Sequence, residues 1–126
     1  MVLVDSSVWI EYFKGNDSVL PLNKLIDSNN LCINDLILAE LLPSVNHKNE
    51  NDLKELLLAI EKIDMEIDWH QIISMQTKNL RNGINKVGIS DLIIVQNAIE
   101  NDIELYTIDK HFDLMSKIHE LKLYRR

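Results

Sequence analysis

The sequence predicts an α/β fold in which a short parallel sheet is covered by helices on both faces. Two observations lead to this class. Short apolar runs alternate along the chain with longer stretches in which apolar residues recur every three or four positions, which is typical of parallel strands joined by helices. The chain has 126 residues, few Gly and Pro residues and 46% apolar residues, so we expect one globular domain spanning residues 1–126.

The first strand is predicted at Val2–Val4, because this apolar run is short and β-branched. Asp5 follows at once, at the carboxyl end of the strand, where open α/β sheets place their ligands. Ser6 or Ser7 is expected to cap the next helix. Trp9, Tyr12 and Phe13 then fall at helical spacing, so the order is strand, carboxylate, helix.

The middle of the chain repeats this pattern. Asn34 and Asp35 are suitable caps for a helix that is expected to stop at Pro43. Leucines recur at helical spacing after Asp52. The predicted elements are a helix from Ser18 with Pro21 in its first turn, a strand at Leu31–Ile33, a helix at Leu36–Leu42, a polar linker over 46–51 and a helix over 52–60.

The second half begins with Ile63–Ile67, whose alternation of apolar and polar residues predicts an edge strand. Ser90 is expected to cap the most apolar helix in the chain. The remaining predicted elements are a helix at Trp69–Leu80 with Ile72, Ile73 and Leu80 in the core, a loop over 81–88, a helix over 91–100, strands over 103–107 and 121–124, and a short helix in the stretch 108–113.

Composition excludes several classes of function. A net charge of −7 argues against a broad basic surface for duplex DNA. The single cysteine, Cys32, rules out an internal disulfide and fits a reducing compartment. We find no signal peptide and no apolar stretch long enough for a bilayer, so we expect a cytoplasmic protein with no membrane partner.

Two acidic residues lie inside apolar helices. Glu40 sits within Leu36–Leu42, where nearly every face is apolar, and Asp91 opens a helix that looks buried on all sides. Burying a lone carboxylate is costly, so each must be paired, protonated or bound to a metal ion.

Asp5 and Asp109 each follow a predicted strand at its carboxyl end. If those strands are neighbours, Asp5, Glu40, Asp91 and Asp109 can converge on one pocket. Four carboxylates together would be unstable without cations, and an all-oxygen site suits Mg²⁺ or Mn²⁺ rather than zinc. Such sites promote displacement at phosphorus, and Ser6, Ser7 or Thr107 could hydrogen-bond a carboxylate or a phosphate.

The four motifs together resemble those of the PIN-domain ribonucleases, most closely the VapC-type toxins of prokaryotic toxin–antitoxin pairs. The resemblance covers the whole chain. Its motifs are the opening strand with Asp5, the Leu-Ala-Glu-Leu-Leu stretch with Glu40, the Gly-Ile-Ser-Asp-Leu-Ile-Ile stretch with Asp91, and the Leu-Tyr-Thr-Ile-Asp stretch with Thr107 and Asp109.

This resemblance implies a three-layer α/β/α sandwich and Mg²⁺- or Mn²⁺-dependent endonucleolytic cleavage of RNA at single-stranded regions of tRNA or rRNA. It also implies a homodimer and a cognate VapB-like antitoxin whose C-terminal tail covers the active site. Lys86 and Lys110, followed by Arg81 and His111, are candidates for RNA phosphate contacts. The family often has a further acid or Asn soon after the fourth motif; here the next acid is Asp113, whose role is left open.

Other interpretations remain open at this point. Any one of the four acids can be an ordinary turn or helix-cap residue. A phosphoacceptor receiver domain is also small and acidic, but it needs an acidic pair after the first strand, and a metal-dependent phosphatase needs a paired Asp-x-Asp there. A non-catalytic binding module with the same fold is the third alternative.

Overall fold

The centre of the fold is a parallel sheet of four strands. The computed structural model describes residues 1–125 and forms this sheet from β1 (Val2–Val4), β2 (Leu31–Ile33), β3 (Glu61–Lys62) and β4 (Glu104–Tyr106). The order across the sheet is β3–β2–β1–β4, with every neighbouring pair parallel. The predicted α/β class with a short parallel sheet is therefore confirmed.

Helices connect the strands and cover the sheet. Those found in residues 1–125 are α1 (Ser6–Phe13), α2 (Pro21–Asp27), α3 (Asp35–His47), α4 (Asn51–Ala59), α5 (Trp69–Arg81), α6 (Ile89–Glu100) and α7 (Lys110–Ser116). The chain moves from β1 to β3 in one direction and then returns to β4 on the other side of β1. Helix α3 packs against α1 and α4, and α5 packs against α6.

The core joins all three layers. Leu3 of the central strand, Trp9 of α1, Ile37 of α3 and Leu92 of α6 are fully buried and belong to one continuous apolar cluster. Helix α6 is buried along most of its length, from residue 92 to residue 98, as its apolar sequence predicts. The two helices that carry Glu40 and Asp91 are thus anchored in the same core.

The strand order reverses beside β1, and this position defines the site. β1 pairs with β2 on one side and with β4 on the other. Asp5 directly follows β1, and Thr107 directly follows β4. In parallel α/β sheets, the crevice at the carboxyl ends of such strands is where ligands bind.

Helix α3 does not stop at Pro43 as the sequence predicts; it continues to His47. A proline inside a helix removes one backbone hydrogen bond and crowds the carbonyl four residues earlier, here that of Ala39. Both Ala39 and Pro43 are exposed, so this carbonyl can tilt toward water. Val45, beyond the proline, is buried in the core and favours continuation of the helix.

The predicted edge strand at Ile63–Ile67 is also wrong. The edge strand lies earlier, at Glu61–Lys62, and its pairing ends where the N–H of Ile63 donates to the Ile33 carbonyl at 2.9 Å. The carbonyl of Asp64 instead accepts a hydrogen bond from the side chain of Asn97 at 3.0 Å. The side-chain amide of Asn97 therefore takes the place of a neighbouring strand as the hydrogen-bond partner of the Asp64 carbonyl.

Three helices begin at residues other than those predicted. The cap positions of α1 and α6 are Asp5 and Gly88, so Ser6, Ser7 and Ser90 lie inside the first turns. The segment after Ser18 forms a short 3₁₀ turn, and α2 begins only at Pro21. Sequence propensity favours serine caps, but the observed helix starts lie one to three residues from the predicted ones.

Two further predictions, both in the second half of the chain, need correction. Ile73 and Leu80 are exposed, because the buried stripe of α5 runs through Ile72, Met75 and Asn79. The last predicted strand, 121–124, forms a single bridge from Leu123 to Leu105 and extends the β4 edge by only two backbone hydrogen bonds.

No helix within residues 1–125 is long and apolar enough to cross a membrane.

The proline inside α3 generates a stability prediction. Proline is roughly 3 kcal/mol less favourable than alanine in a helix interior, and about 1 kcal/mol of this is offset because proline restricts the unfolded chain. We expect Pro43→Ala to raise the free energy of unfolding by about 1–2 kcal/mol in urea titrations. Ser44→Ala, at the neighbouring exposed position, is the control and should gain about 0.5 kcal/mol. A Pro43→Ala protein no more stable than the control would contradict this account of α3.

Candidate active site

Asp5 is the most enclosed acid of the site. It directly follows β1 and is only 4% exposed. The Ser7 hydroxyl donates to its Oδ2 at 2.7 Å, and the Thr107 hydroxyl donates to the same oxygen at 3.0 Å. Its backbone N–H donates to the Tyr106 carbonyl at 2.9 Å. The carboxylate is therefore fixed between β1 and the end of β4, and the two hydroxyl bonds use Oδ2 and leave Oδ1 to another ligand.

The segment after β4 is tied to the same hydroxyl groups. The backbone N–H of Asp109 donates to Thr107 Oγ1 at 3.1 Å, and that of Ile108 donates to Ser7 Oγ at 3.4 Å. Asp109 caps α7 by accepting the backbone N–H of His111 at 2.9 Å. The His111 ring also lies against this carboxylate, with Nδ1 3.0 Å from Asp109 Oδ1.

Asp91 occupies the third position of α6, near the positive end of that helix. The backbone N–H of Gly88 donates to its carboxylate, as in one half of a capping box. Burial nevertheless raises the pKa of Asp91, and repulsion by Asp109 and Asp5 raises this pKa further, against the opposing effects of the Gly88 bond and His111. A net upward shift shows that the surroundings disfavour the charged form.

Glu40 lies on α3, but the expectation that this helix is apolar on nearly every face is wrong. Ala39, Glu40, Pro43 and Ser44 are exposed, so the helix has a solvent-accessible strip that carries Glu40 at the rim of the site. Partial burial is still the largest cause that raises the pKa of the Glu40 carboxyl. Repulsion by Asp5 and then by Asp91 adds to it, and a hydrogen bond from Ser6 opposes it.

The four acids form one electrostatic cluster. Glu40 is repelled by Asp5 and Asp91, and Asp91 is in turn repelled by Asp5 and Asp109. Residues that are up to 104 positions apart in the sequence (Asp5 and Asp109) thus meet at the carboxyl edge of the sheet. We refer to Asp5, Glu40, Asp91 and Asp109 as the acid cluster.

The donor set of the acid cluster suits a hard divalent cation. All four side chains offer oxygen ligands, the type that Mg²⁺ and Mn²⁺ prefer. Within residues 1–125 no lysine or arginine forms an ion pair with any of the four; the recorded ion pair is that of Asp109 with His111. Over the same residues no three acidic, histidine or cysteine side chains already converge in metal-binding geometry, so a cation would have to draw the carboxylates together.

The other predicted residues are hydroxyl side chains that contact the acid cluster and basic side chains elsewhere on the surface. Ser6, Ser7 and Thr107 each hydrogen-bond a cluster carboxylate. Lys86 and Lys110 are exposed, the first in the loop before α6 with a positive φ of 66° and the second at the start of α7. Arg81 lines a shallow surface pocket with Ile73, Ser74, Thr77, Lys78 and Asn82.

Two features of the site were missed or underrated in the sequence. One is the hydrogen bond from the Gly88 backbone N–H to the Asp91 carboxylate. The spacing of three residues between a helix cap position and an acid is the sequence signal that indicates such a bond. His111 was a weak candidate for RNA contact, but the structure places its ring against Asp109. Asp113 is not among the charges that repel Glu40 or Asp91, and its carboxylate accepts a hydrogen bond from Arg125 at 3.2 Å.

A cavity of about 260 Å³ adjoins the acid cluster. Glu40 lies on its wall, and apolar side chains from α1 and α3, including Phe13, Leu41 and Val45, form much of its lining. Lys14 and Lys48 line it as well. Glu50 also lines it, so the cavity combines an apolar surface with two lysines and two glutamates.

Comparison with known proteins identifies a family for this chain. The family model described as PIN domain matches residues 2–118. The chain is similar to a protein named VapC ribonuclease Mb1587 from Mycobacterium bovis, with 25% identity over 97% of this chain and 96% of that protein.

Solved structures show the same fold. The chain is similar to one in the structure of VapBC2 from Rickettsia felis bound to a DNA fragment from their promoter, with a TM-score of 0.76 and 24% identity over 98% of both chains. It is also similar to one in DNA-bound VapBC from Salmonella typhimurium, with a TM-score of 0.75 and 17% identity over 98% of this chain and 96% of that one. Since the family model spans nearly the whole sequence, this chain belongs to the PIN domain family.

Proposed function

We propose that this protein is a Mg²⁺- or Mn²⁺-dependent endoribonuclease that acts as the toxin of a toxin–antitoxin pair. The observation that carries the proposal is the acid cluster, in which carboxylates repel one another at the carboxyl edge of a parallel sheet. A relative with which the chain aligns over almost its full length is named a ribonuclease. The sequence as a whole is proposed to be one catalytic domain.

The acid cluster would hold the metal ion or ions, through Asp5, Glu40, Asp91 and Asp109. A metal ion held by these carboxylates would supply activation of water and neutralisation of the charge that develops on the phosphodiester. Ser7 and Thr107 keep the Asp5 carboxylate in one orientation through Oδ2. Glu40 is the most solvent-accessible of the four acids, and its carboxylate is proposed to accept a proton from the attacking water.

The proposed substrate is a single-stranded region of structured RNA such as tRNA or rRNA. A protein with a net charge of −7 cannot attract RNA through a broad basic surface. Bound cations and a few local lysines must supply the positive charge instead. Lys86 and Lys110, exposed before α6 and at the start of α7, are proposed to contact phosphates of the RNA.

The proposed partners are a cognate VapB-like antitoxin and a second copy of this chain in the cytoplasm. The cavity beside Glu40 is lined by apolar residues, two lysines and two glutamates, and its apolar part suits an antitoxin tail that brings apolar side chains. The similar chains from R. felis and S. typhimurium are in structures of VapBC. Trp69, Ile73 and Leu80 are exposed along α5, and such an apolar stripe supports association between copies.

The first prediction concerns catalysis. Asp5→Asn keeps an acceptor for Ser7 and Thr107 but removes a negative ligand, so metal-dependent cleavage should fall at least a hundredfold. The measurement is cleavage of total cellular RNA with Mg²⁺ or Mn²⁺ and with EDTA, followed by mapping of the fragment ends. Asp113→Asn removes an acid outside the cluster and should cleave like the wild type.

Fragments that persist equally in Asp5→Asn, or that survive EDTA, would contradict a metal-dependent nuclease built on the acid cluster. A wild-type protein that binds metal but cleaves no RNA would favour the non-catalytic binding module.

The second prediction concerns pH and stability without metal. The pKa values of Glu40 and Asp91 are raised in the folded state, so the folded protein holds these protons more tightly than the unfolded chain. The contribution of these two groups to the free energy of unfolding should therefore be largest below the ordinary carboxyl pKa and should fall as the pH rises through the raised values. Asp91→Asn removes one of these charges and should raise the Tm of the metal-free protein by a few degrees at pH 7.

The difference in Tm between Asp91→Asn and the wild type should shrink near pH 4. It should reverse on addition of Mn²⁺, since metal binding stabilises the wild type more. Thermal unfolding in EDTA and in Mn²⁺ at both pH values measures it. An Asp91→Asn protein that is less stable than the wild type in EDTA at pH 7 would show that the charge on Asp91 favours folding.

A further inference from the structure

A buried pair of amides connects the helix that carries Glu40 to the helix that carries Asp91. Asn34 is the cap residue of α3, and Asn97 lies in the middle of α6. Their exposed fractions are 0% and 3%. The Nδ2 group of Asn34 donates to Oδ1 of Asn97 at 2.8 Å, so the two helices are joined by a direct side-chain hydrogen bond.

Both amides are held at their other ends as well. Oδ1 of Asn34 accepts the backbone N–H of Ile37 at 2.9 Å, and Nδ2 of Asn97 donates to the Asp64 carbonyl at 3.0 Å. The result is one line of hydrogen bonds from the first turn of α3, across α6, to the segment after β3. A buried donor or acceptor that loses its partner is expensive, so this line permits one arrangement of the two side chains.

The position of the pair relative to the acid cluster is specific. Asn34 precedes Glu40 by six residues, and Asn97 follows Asp91 by six residues. At 1.5 Å per residue, about 9 Å of helix separates each amide from its acid. Asn34 hydrogen-bonds Asn97, and Glu40 lies near enough to Asp91 to be repelled by it. The two helices therefore run in opposite directions here, with the amides at one end and the acids at the other.

We propose that the Asn34–Asn97 hydrogen bond is a positioning element that holds Glu40 and Asp91 at the separation at which both reach the same divalent cation. This inference rests on the proposed function. Repulsion between the two carboxylates pushes α3 and α6 apart, and a directional bond between the helices resists that movement. Apolar packing alone fixes the distance between two helices less strictly, because it has no required donor and acceptor.

The chain contains a matched control on the same helix. Gln96 is also buried, and its Nε2 donates to the Asp68 carbonyl at 3.1 Å and to Gln71 Oε1 at 2.6 Å. These bonds tie α6 to the start of α5, which carries no member of the acid cluster. Loss of this amide should lower stability without changing the relation between Glu40 and Asp91.

The experiment compares Asn34→Ser, Asn97→Ser and Gln96→Ser. Serine at position 34 keeps an oxygen that can cap α3 but is too short to reach Asn97, while Asn97→Ser opens the same bond from the other side. Mn²⁺ affinity of the metal-free proteins is measured by electron paramagnetic resonance at a temperature well below each Tm. All three variants should lose a few degrees of Tm.

The two asparagine variants should bind Mn²⁺ about tenfold more weakly, in the range seen when residues behind metal ligands are replaced, and Gln96→Ser should keep the wild-type affinity. The Mn²⁺ concentration for half-maximal RNA cleavage should rise in the same proportion, while the rate at saturating Mn²⁺ stays close to that of the wild type.

Wild-type Mn²⁺ affinity in both asparagine variants, or an equal loss in Gln96→Ser, would overturn the positioning role. The proposed function is judged separately by the wild type: if it binds no Mn²⁺ and cleaves no RNA, the proposed function fails, and this inference fails with it.

Discussion

Repulsion between carboxylates at the carboxyl edge of the sheet is the constraint on which the rest of the structure depends. Two unit charges 4 Å apart repel by about 4 kcal/mol at an effective dielectric of 20. That is a large part of the roughly 5–15 kcal/mol by which a domain of this size is stable. Four acids can gather there because the core holds their helices and strands in place.

The fold holds each acid by a different means. Asp5 is fixed by two hydroxyl groups, one from α1 and one from the end of β4. Asp91 uses the first turn of a helix that is buried along most of its length. Asp109 caps α7 through its own side chain. Glu40, on the exposed strip of α3, depends most on how that helix is placed, which is why the amide pair behind it matters.

The sequence predicts the strands β1, β2 and β4 and the sheet class because these depend on local patterns of buried apolar runs. It predicts Asp5 and Asp109 because each acid follows such a run at its carboxyl end. It does not predict that α3 passes Pro43, that Ile63–Ile67 is irregular, or that Asn34 meets Asn97. Those outcomes depend on contacts between distant segments: the burial of Val45, and a hydrogen bond from Asn97 to the Asp64 carbonyl. The accessible strip around Glu40 was missed for the same reason, since periodicity does not show which face a neighbour covers.

The most direct test of the central claim is a Mn²⁺ titration of the metal-free protein, comparing the wild type with Glu40→Gln and Asp113→Asn. The account predicts that Glu40→Gln binds Mn²⁺ at least tenfold more weakly, because glutamine has the shape of glutamate but lacks its negative charge. RNA binding without metal should change little. Asp113→Asn should match the wild type. Equal Mn²⁺ affinity in all three proteins would contradict the assignment of the acid cluster as a metal site.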